Sequence, residues 1–507
     1  MTTLKHSLQL LGMYGVGISL LLGWLLAKLM PRHAEHSIRP ASFTLTYAAF
    51  VFSAFCSAAY LIYPNFIDHL EPTVLQITQI WSMDGNLYPP IETPSMHGLL
   101  YGPALYWFQL PFLAFSNDLI LGSKLPGVLA FNVAWILLFA LYKEPLSKAY
   151  LVLLLPFNLI LFWNRAEPFF ILIVALAIWV CKNPSRYTAI SLGVLAGLAS
   201  SCKAHGVLYV LPLLFFFIPI SIRTVLGFFF AFAVVVLSFF LDARTSLIGY
   251  IDYLKLATQH GISFAYLEKN LFFLVCTWLP LALTFKRFPI SKLTVLKWGG
   301  LVVVEVLVSI AGAKPGAGVH HLIPVVVLNS YLYETQLQKT DNHASSTLPI
   351  QLGLMVLSTY VLVFAWKNVY DSEIHDWPTV KSQTEAKLEI RIFTERYPHL
   401  FMGITDKENA QYRLTFFRPL LVTPEAPQFE YAGFMDLNYA GVSGLFLSKA
   451  LNECQATYIA LPNGGAPFSI LNFYNNEPLF PEAVRSAFRQ QYRALETGKF
   501  FTIYGCK

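Results

Sequence analysis

Long apolar runs joined by short polar connectors fill most of the chain up to residue 367. The first, residues 8–30 (LQLLGMYGVGISLLLGWLLAKLM), is long enough to cross a hydrocarbon core of about 30 Å as a helix. No small-residue cleavage site follows it, so it reads as a retained span rather than a leader. The second covers 42–63. Further apolar segments at 125–142, 149–163, 168–181, 187–201, 206–221, 224–241, 270–285, 295–312, 319–336 and 349–367 predict an α-helical polytopic bundle of about twelve spans. Residues 102–117, GPALYWFQLPFLAFSN, are apolar but short, and they contain Pro103 and Pro111. Their Tyr106 and Trp107 favour the headgroup level of a membrane, which predicts an interfacial or re-entrant segment.

Beyond residue 367 the pattern changes: charge rises and apolar runs shorten. TYIAL at 457–461 and FFTIYGC at 500–506 alternate as strands do, PEAVRSAFRQQYRALETG reads as a helix, and SKALNECQATYIALP as a helix running into a strand. The expected organisation is a transmembrane domain over 1–367, with an outer loop at 64–101 and the interfacial segment at 102–117. A small α/β extracytoplasmic domain over 368–507 follows.

Composition agrees with a membrane setting. The 507 residues are 56% hydrophobic and 13% charged, against about 25% charged in soluble domains. The net charge of +6 falls largely in short connectors, as cytoplasmic retention of Lys and Arg requires, and implies no nucleic-acid partner. The six cysteines form no CxxC. Cys454 and Cys506 lie in the polar tail and are candidates for a disulfide if the tail is exported.

Charge also assigns sides. No Lys or Arg occurs between Arg39 and Lys124, which puts 64–101 on the non-cytoplasmic face. Alternation from there keeps CKNPSRY, SIR, KRFPISK and QLQKTDNH inside and leaves the N-terminus outside. The outer loop carries Asp68 and Glu71, which share one face if the segment is helical. One is a candidate general base, with the other or His69 orienting it. The plainer alternative is that both simply suit a helix N-terminus. Asp84 and Glu92 sit among the turn signals DGN and YPP and read as structural.

Three short outer connectors hold cations against that topology: Arg165 in FWNRAEP, Lys203 with His205 in SSCKAHG, and Lys314 with His320 and His321 in GAKPGAGVHH. Each singly could snorkel to water. Together they suit a phosphate, with Arg as a fork, Lys as a point charge and the KPGAG turn offering backbone N–H groups. Adjacent histidines do not share a helix face, so no metal site is indicated.

The order DHLEP, DGNLYPP, LLYGPALYWFQLPF and SKLPGVLA resembles the first outer loop of GT-C membrane glycosyltransferases. These include protein O-mannosyltransferases, aminoarabinose transferases and family-39-like enzymes. The resemblance covers roughly 42–335. It implies a helical bundle with interfacial helices in that loop, a polyprenyl-phosphate sugar donor, and chemistry at the outer membrane face. It also implies donor-phosphate contacts at Arg165, Lys203, Lys314 and His320 or His321. The family pattern has adjacent Asp and Glu before the Gly of the turn, here Gly85, whereas this chain separates them as Asp68 and Glu71.

The expected activity is inverting transfer of a sugar from the lipid phosphate to an acceptor hydroxyl of a glycan, lipid or protein. Asp68 or Glu71 is the base, and His69, His205 and Tyr101 orient groups or shape the loop. No cofactor is expected. An O-antigen-type polymerase or ligase would lean on outer Arg and His instead. A lipid-linked-sugar transporter would place ionisable residues at mid-bilayer, where Glu305 is the one clear candidate.

Overall fold

The computed structural model describes residues 35–93, 96–97, 101–219, 221–282, 291–338, 348–369, 377–406, 414–424 and 429–507. The span expected at 8–30 lies outside these residues. The chain is mostly helical and divides into two compact units: Met1–Tyr60, Gly127–Val236 and Ile262–Ile374 in one, and Leu61–Pro126, Leu237–Gly261 and His375–Lys507 in the other. The division does not follow the compositional boundary at 367. The outer loop and the 102–117 segment group with the C-terminal residues.

Among the described residues three helical stretches are long and apolar enough to cross a membrane: Thr44–Ile62, Leu119–Leu141 and Lys292–Ala311. Shorter apolar helices cover Pro145–Leu155, Thr188–Cys202, Ala204–Phe217, Ile222–Ser238 and Leu352–Val363. The apolar run at 149–163 is not one continuous α-helix. It begins as Pro145–Leu151 and tightens into a 3-10 helix over Val152–Leu161.

In the first unit, Gly193 and Gly197 of the Thr188–Cys202 helix let the Ile222–Ser238 helix approach closely. A Cβ at Gly193 would lie 2.3 Å from the Phe228 carbonyl oxygen, and one at Gly197 would lie 2.8 Å from the Val235 Cβ. This is small-residue packing of the kind apolar solvent favours, because no hydrophobic force drives helices together there. Leu226 and Phe230 on the same helix stay exposed, which suits contact with lipid tails.

The second unit carries the helix Leu70–Ser82, the predicted interfacial segment as the helix Pro103–Phe115, and the helix Leu247–Thr258. Its C-terminal part contributes the helix Trp377–Arg396 and a mixed four-stranded sheet. The strands are β1 (Leu400–Met402), β2 (Tyr458–Pro462), β3 (Tyr492–Thr497) and β4 (Phe501–Cys506), in the order β1-β2-β4-β3. β1 and β2 run parallel; the other pairs are antiparallel.

The predicted helix through RALETG ends earlier, at Gln491. Residues 492–497 pair with β4 instead, because ladder bonds across a short turn outweigh the helix preference of Arg493, Leu495 and Glu496. Phe501 and Ile503 enter a core shared with Phe66, Leu75, Ile390 and Phe417. Leu75 comes from the outer loop and Ile390 from the long C-terminal helix, so loop and tail have one hydrophobic centre. Cys454 and Cys506 are bonded, with Cα atoms 6.0 Å apart.

The DGN turn closes as its sequence suggests. A Cβ at Gly85 would sit 2.6 Å from the Ile80 carbonyl oxygen, so no larger residue fits. Arg244 Nη1 donates to Asp84 Oδ1 at 3.1 Å, and Leu87 N to the Arg244 carbonyl at 2.7 Å. Asp84 is therefore part of the loop's own architecture.

Candidate active site

The helix Leu70–Ser82 begins in a knot of backbone bonds made by both candidate acids. Glu71 Oε2 accepts from the N–H groups of Ile67 at 2.8 Å and Asp68 at 2.9 Å. Asp68 Oδ1 accepts from Leu70 N at 3.0 Å. An acid in the first turn of a helix that accepts from the backbone N–H three residues before it resembles the capping box, here satisfying donors just ahead of the helix. Glu71 is fully enclosed. Asp68 is 6% exposed, and its Oδ2 lies 3.4 Å from Nδ1 of His69, whose side chain is half exposed.

Two C-terminal residues fix this helix end. Arg418 Nη2 donates to the His69 carbonyl at 2.9 Å and to Thr73 Oγ1 at 2.5 Å, and it pairs with Glu430 Oε1 at 2.8 Å. Thr73 Oγ1 in turn donates to Glu430 Oε1 at 2.8 Å. Glu430 also caps the helix Tyr431–Tyr439 through Ala432 N and Gly433 N. Sequence reasoning passed over both residues. A fully buried Lys124, whose Nζ donates to the Tyr63 carbonyl at 2.7 Å, was also missed. Its signal was available: it is the first cation after the long cation-free stretch. Tyr101 is buried, and its carbonyl accepts from Tyr88 Oη at 2.7 Å, which makes it a loop-shaping residue.

In the first unit, three of the predicted cations meet at a carboxylate that the sequence reading did not single out. Glu167, in the first turn of the helix Ala166–Lys182, is 1% exposed. Its Oε1 lies 2.7 Å from Lys203 Nζ and 3.9 Å from His320 Nε2. Its Oε2 accepts from Trp163 Nε1 at 2.9 Å and lies 4.0 Å from Arg165 Nε. The Arg165 guanidinium stacks 3.9 Å above the Trp163 ring, which sets its direction. Burial alone would raise the Glu167 pKa, but Lys203, Arg165 and His320 outweigh it and hold the carboxyl below the usual carboxylate range.

The remaining predicted residues line the surroundings. Lys314 is half-buried, and its charge reaches Lys203. His321 is turned to another partner: its Nδ1 lies 3.3 Å from His205 Nε2, and its carbonyl accepts from Tyr209 Oη at 2.9 Å. Burial and the nearby Lys203 charge push the His205 pKa down to about 3. His205 is therefore neutral and acts as a hydrogen-bonding prop, whereas His320 is the histidine that faces the carboxylate.

Comparison with solved structures yields a match over nearly the whole chain. ArnT from Cupriavidus metallidurans, crystallised with undecaprenyl phosphate bound, superposes with a TM-score of 0.53 over 90% of this chain and 97% of its own, at 10% identity. The chain has the GT-C fold.

No protein-family model matches the sequence, and no curated protein matches it either. At this identity the likeness speaks for the fold alone. The sequence resemblance and the three-dimensional match nevertheless reach the same fold from independent starting points. Within this fold, the cation cluster can receive an anion, and the Asp68–His69 pair can accept a proton. Glu71, enclosed and tied by two backbone donors, is built to hold a helix.

Proposed function

We propose that this chain is a membrane glycosyltransferase that moves a sugar from a polyprenyl-phosphate donor to an acceptor hydroxyl at the extracytoplasmic face. The observation that carries the reading is the convergence of Lys203, Arg165 and His320 on one buried point. That point is the Glu167 carboxylate, whose single negative charge does not balance Lys203 and Arg165 together, and a lipid phosphate is an anion that a membrane protein meets to make up the difference. The GT-C fold, in a chain similar to ArnT bound to undecaprenyl phosphate, supports the same donor class.

Asp68 is the general base and Glu71 its structural support. As the acceptor oxygen attacks the anomeric carbon, Asp68 takes its proton, helped by His69 at 3.4 Å. The bond from that carbon to the phosphate oxygen breaks with inversion. The lipid phosphate leaves with its charge held by Lys203, Arg165, His320 and Lys314, an electrostatic stabilisation of charge that grows in the transition state. The C-terminal residues contribute through Arg418, which fixes the His69 carbonyl and with it the helix end that presents Asp68.

Mass spectrometry of surface glycans and lipid-linked sugars from cells with and without the gene tests the assignment. The expected result is a glycan lacking one sugar together with accumulation of one polyprenyl-phosphate sugar. Unchanged glycans with unchanged lipid-linked sugars would contradict it.

A further inference from the structure

The cations assigned to the donor phosphate face an anion that the chain itself supplies. Lys203 is 8% exposed, and its ammonium lies 2.7 Å from Glu167 Oε1. Among the described residues, Arg165 and Lys314 are charges that act against its protonation. Arg165 and His320 approach the same carboxylate, Lys314 acts from the 312–318 turn, Cys202 precedes it in the chain, and His205 and His321 stand together behind it. An ammonium taken out of water among like charges gives up its proton unless a counter-ion stays in contact. Glu167 is a carboxylate in direct contact with it. Trp163 Nε1 binds the other carboxylate oxygen and fixes the group in place.

We propose that Glu167 is a positioning residue that keeps Lys203 protonated while the site is empty, so that the donor phosphate meets a charged ammonium and no proton has to be taken up on binding. The proposal rests on the reading of the cluster as the lipid-phosphate site and assigns a task within it. Glu167 touches neither donor nor acceptor; it acts through Lys203. Burial and the flanking cations lower the Lys203 pKa, and the contact with Glu167 opposes them.

The test is binding of undecaprenyl phosphate to the full-length protein in detergent, from about pH 7 to about pH 9.5, above the second ionisation of a phosphate monoester near 6. Wild type is expected to bind with little change over this range. Glu167→Gln retains the oxygen that accepts from Trp163 but removes the charge. Its affinity is expected to match wild type at the low end and to fall about tenfold per pH unit above the new Lys203 pKa, the slope for one proton taken up on binding. Adding Lys203→Arg to Glu167→Gln should flatten the profile again, because a guanidinium does not lose its proton in this range. Glu167→Asp, which keeps the charge but draws it back by one methylene, should show the same fall displaced to higher pH, and it serves as the second variant if Glu167→Gln does not fold.

A Glu167→Gln profile parallel to wild type would overturn the inference. Lys203→Met separates the two levels. If it binds undecaprenyl phosphate as wild type does, the phosphate reading fails and the inference fails with it. If it loses affinity while Glu167→Gln and Glu167→Asp stay parallel to wild type, only the role of Glu167 is wrong.

Discussion

Lys203 Nζ lies 2.7 Å from Glu167 Oε1, with the two side chains 10% and 2% exposed. Breaking a buried pair from one side leaves the other charge stranded, at a cost of about 3–5 kcal/mol, whereas removing both is far milder. Lys203→Met should therefore lower the thermal midpoint strongly. Lys203→Met combined with Glu167→Gln should recover much of the loss, a non-additivity that thermal unfolding of the three variants measures. Equal midpoints for the single and double variants would mean that the pair carries no buried charge.

Asp68 and Glu71 should separate cleanly. Asp68→Asn removes the proposed base and should lower the transfer rate by about 10²–10⁴-fold while leaving donor binding intact. Glu71→Gln weakens a cap and should cost stability of about 1 kcal/mol with most of the activity kept. Rates and thermal midpoints of both variants, measured side by side, check the split. A polymerase- or ligase-type enzyme, leaning on Arg and His, would keep its rate in both.

The sequence disclosed the helices more fully than the site. Hydropathy located the apolar segments, and the aromatic, Pro-containing 102–117 stretch was readable as a helix unlike the others. Glu167 was hidden because a single acid beside Arg165 in a short connector looks like a solvated charge, and its partner Lys203 is 36 residues away. Arg418 and His69 are 349 residues apart, and no local pattern announces such a pairing. β3 was hidden for a different reason: its residues favour a helix locally, and only its partner across the turn decides otherwise. The acids were found, but spacing alone could not tell a base from a cap. Backbone N–H groups pointing at Glu71 make that distinction.

Arg418 is expected to be the most sensitive C-terminal position. It is 3% exposed, pairs with Glu430, and bonds to the His69 carbonyl. Arg418→Met leaves Glu430 buried without its countercharge and should destabilise by about 3–5 kcal/mol. In protein that still folds, transfer should fall through the maximal rate more than through the donor KM, because the helix end bearing Asp68 is what loosens. A change confined to donor KM would argue against this link.

Acid should weaken the contact between Asp118 and Lys387, whose Oδ2 and Nζ lie 2.7 Å apart. Partial burial would raise the Asp118 pKa, but the bond from Lys387 and its charge lower it on balance. A group with a depressed folded pKa stabilises above its unfolded value, about 3.9 for Asp, and loses that contribution as pH falls through the folded value. Asp118 is 38% exposed, so solvent screening limits the effect to about 1 kcal/mol or less. Asp118→Asn should melt below wild type at neutral pH, and the two midpoints should converge as pH falls below the depressed folded value. A constant difference across that range would assign the effect to packing.

The central claim is that Lys203 and Asp68 serve one transfer reaction at different steps. Its most direct test is single-turnover transfer by purified full-length protein, with a polyprenyl-phosphate sugar at saturating and subsaturating levels, comparing wild type, Lys203→Met and Asp68→Asn. The account expects Lys203→Met to raise the donor concentration needed and Asp68→Asn to slow transfer at saturation with that concentration unchanged. Wild-type transfer undiminished in both variants would contradict it.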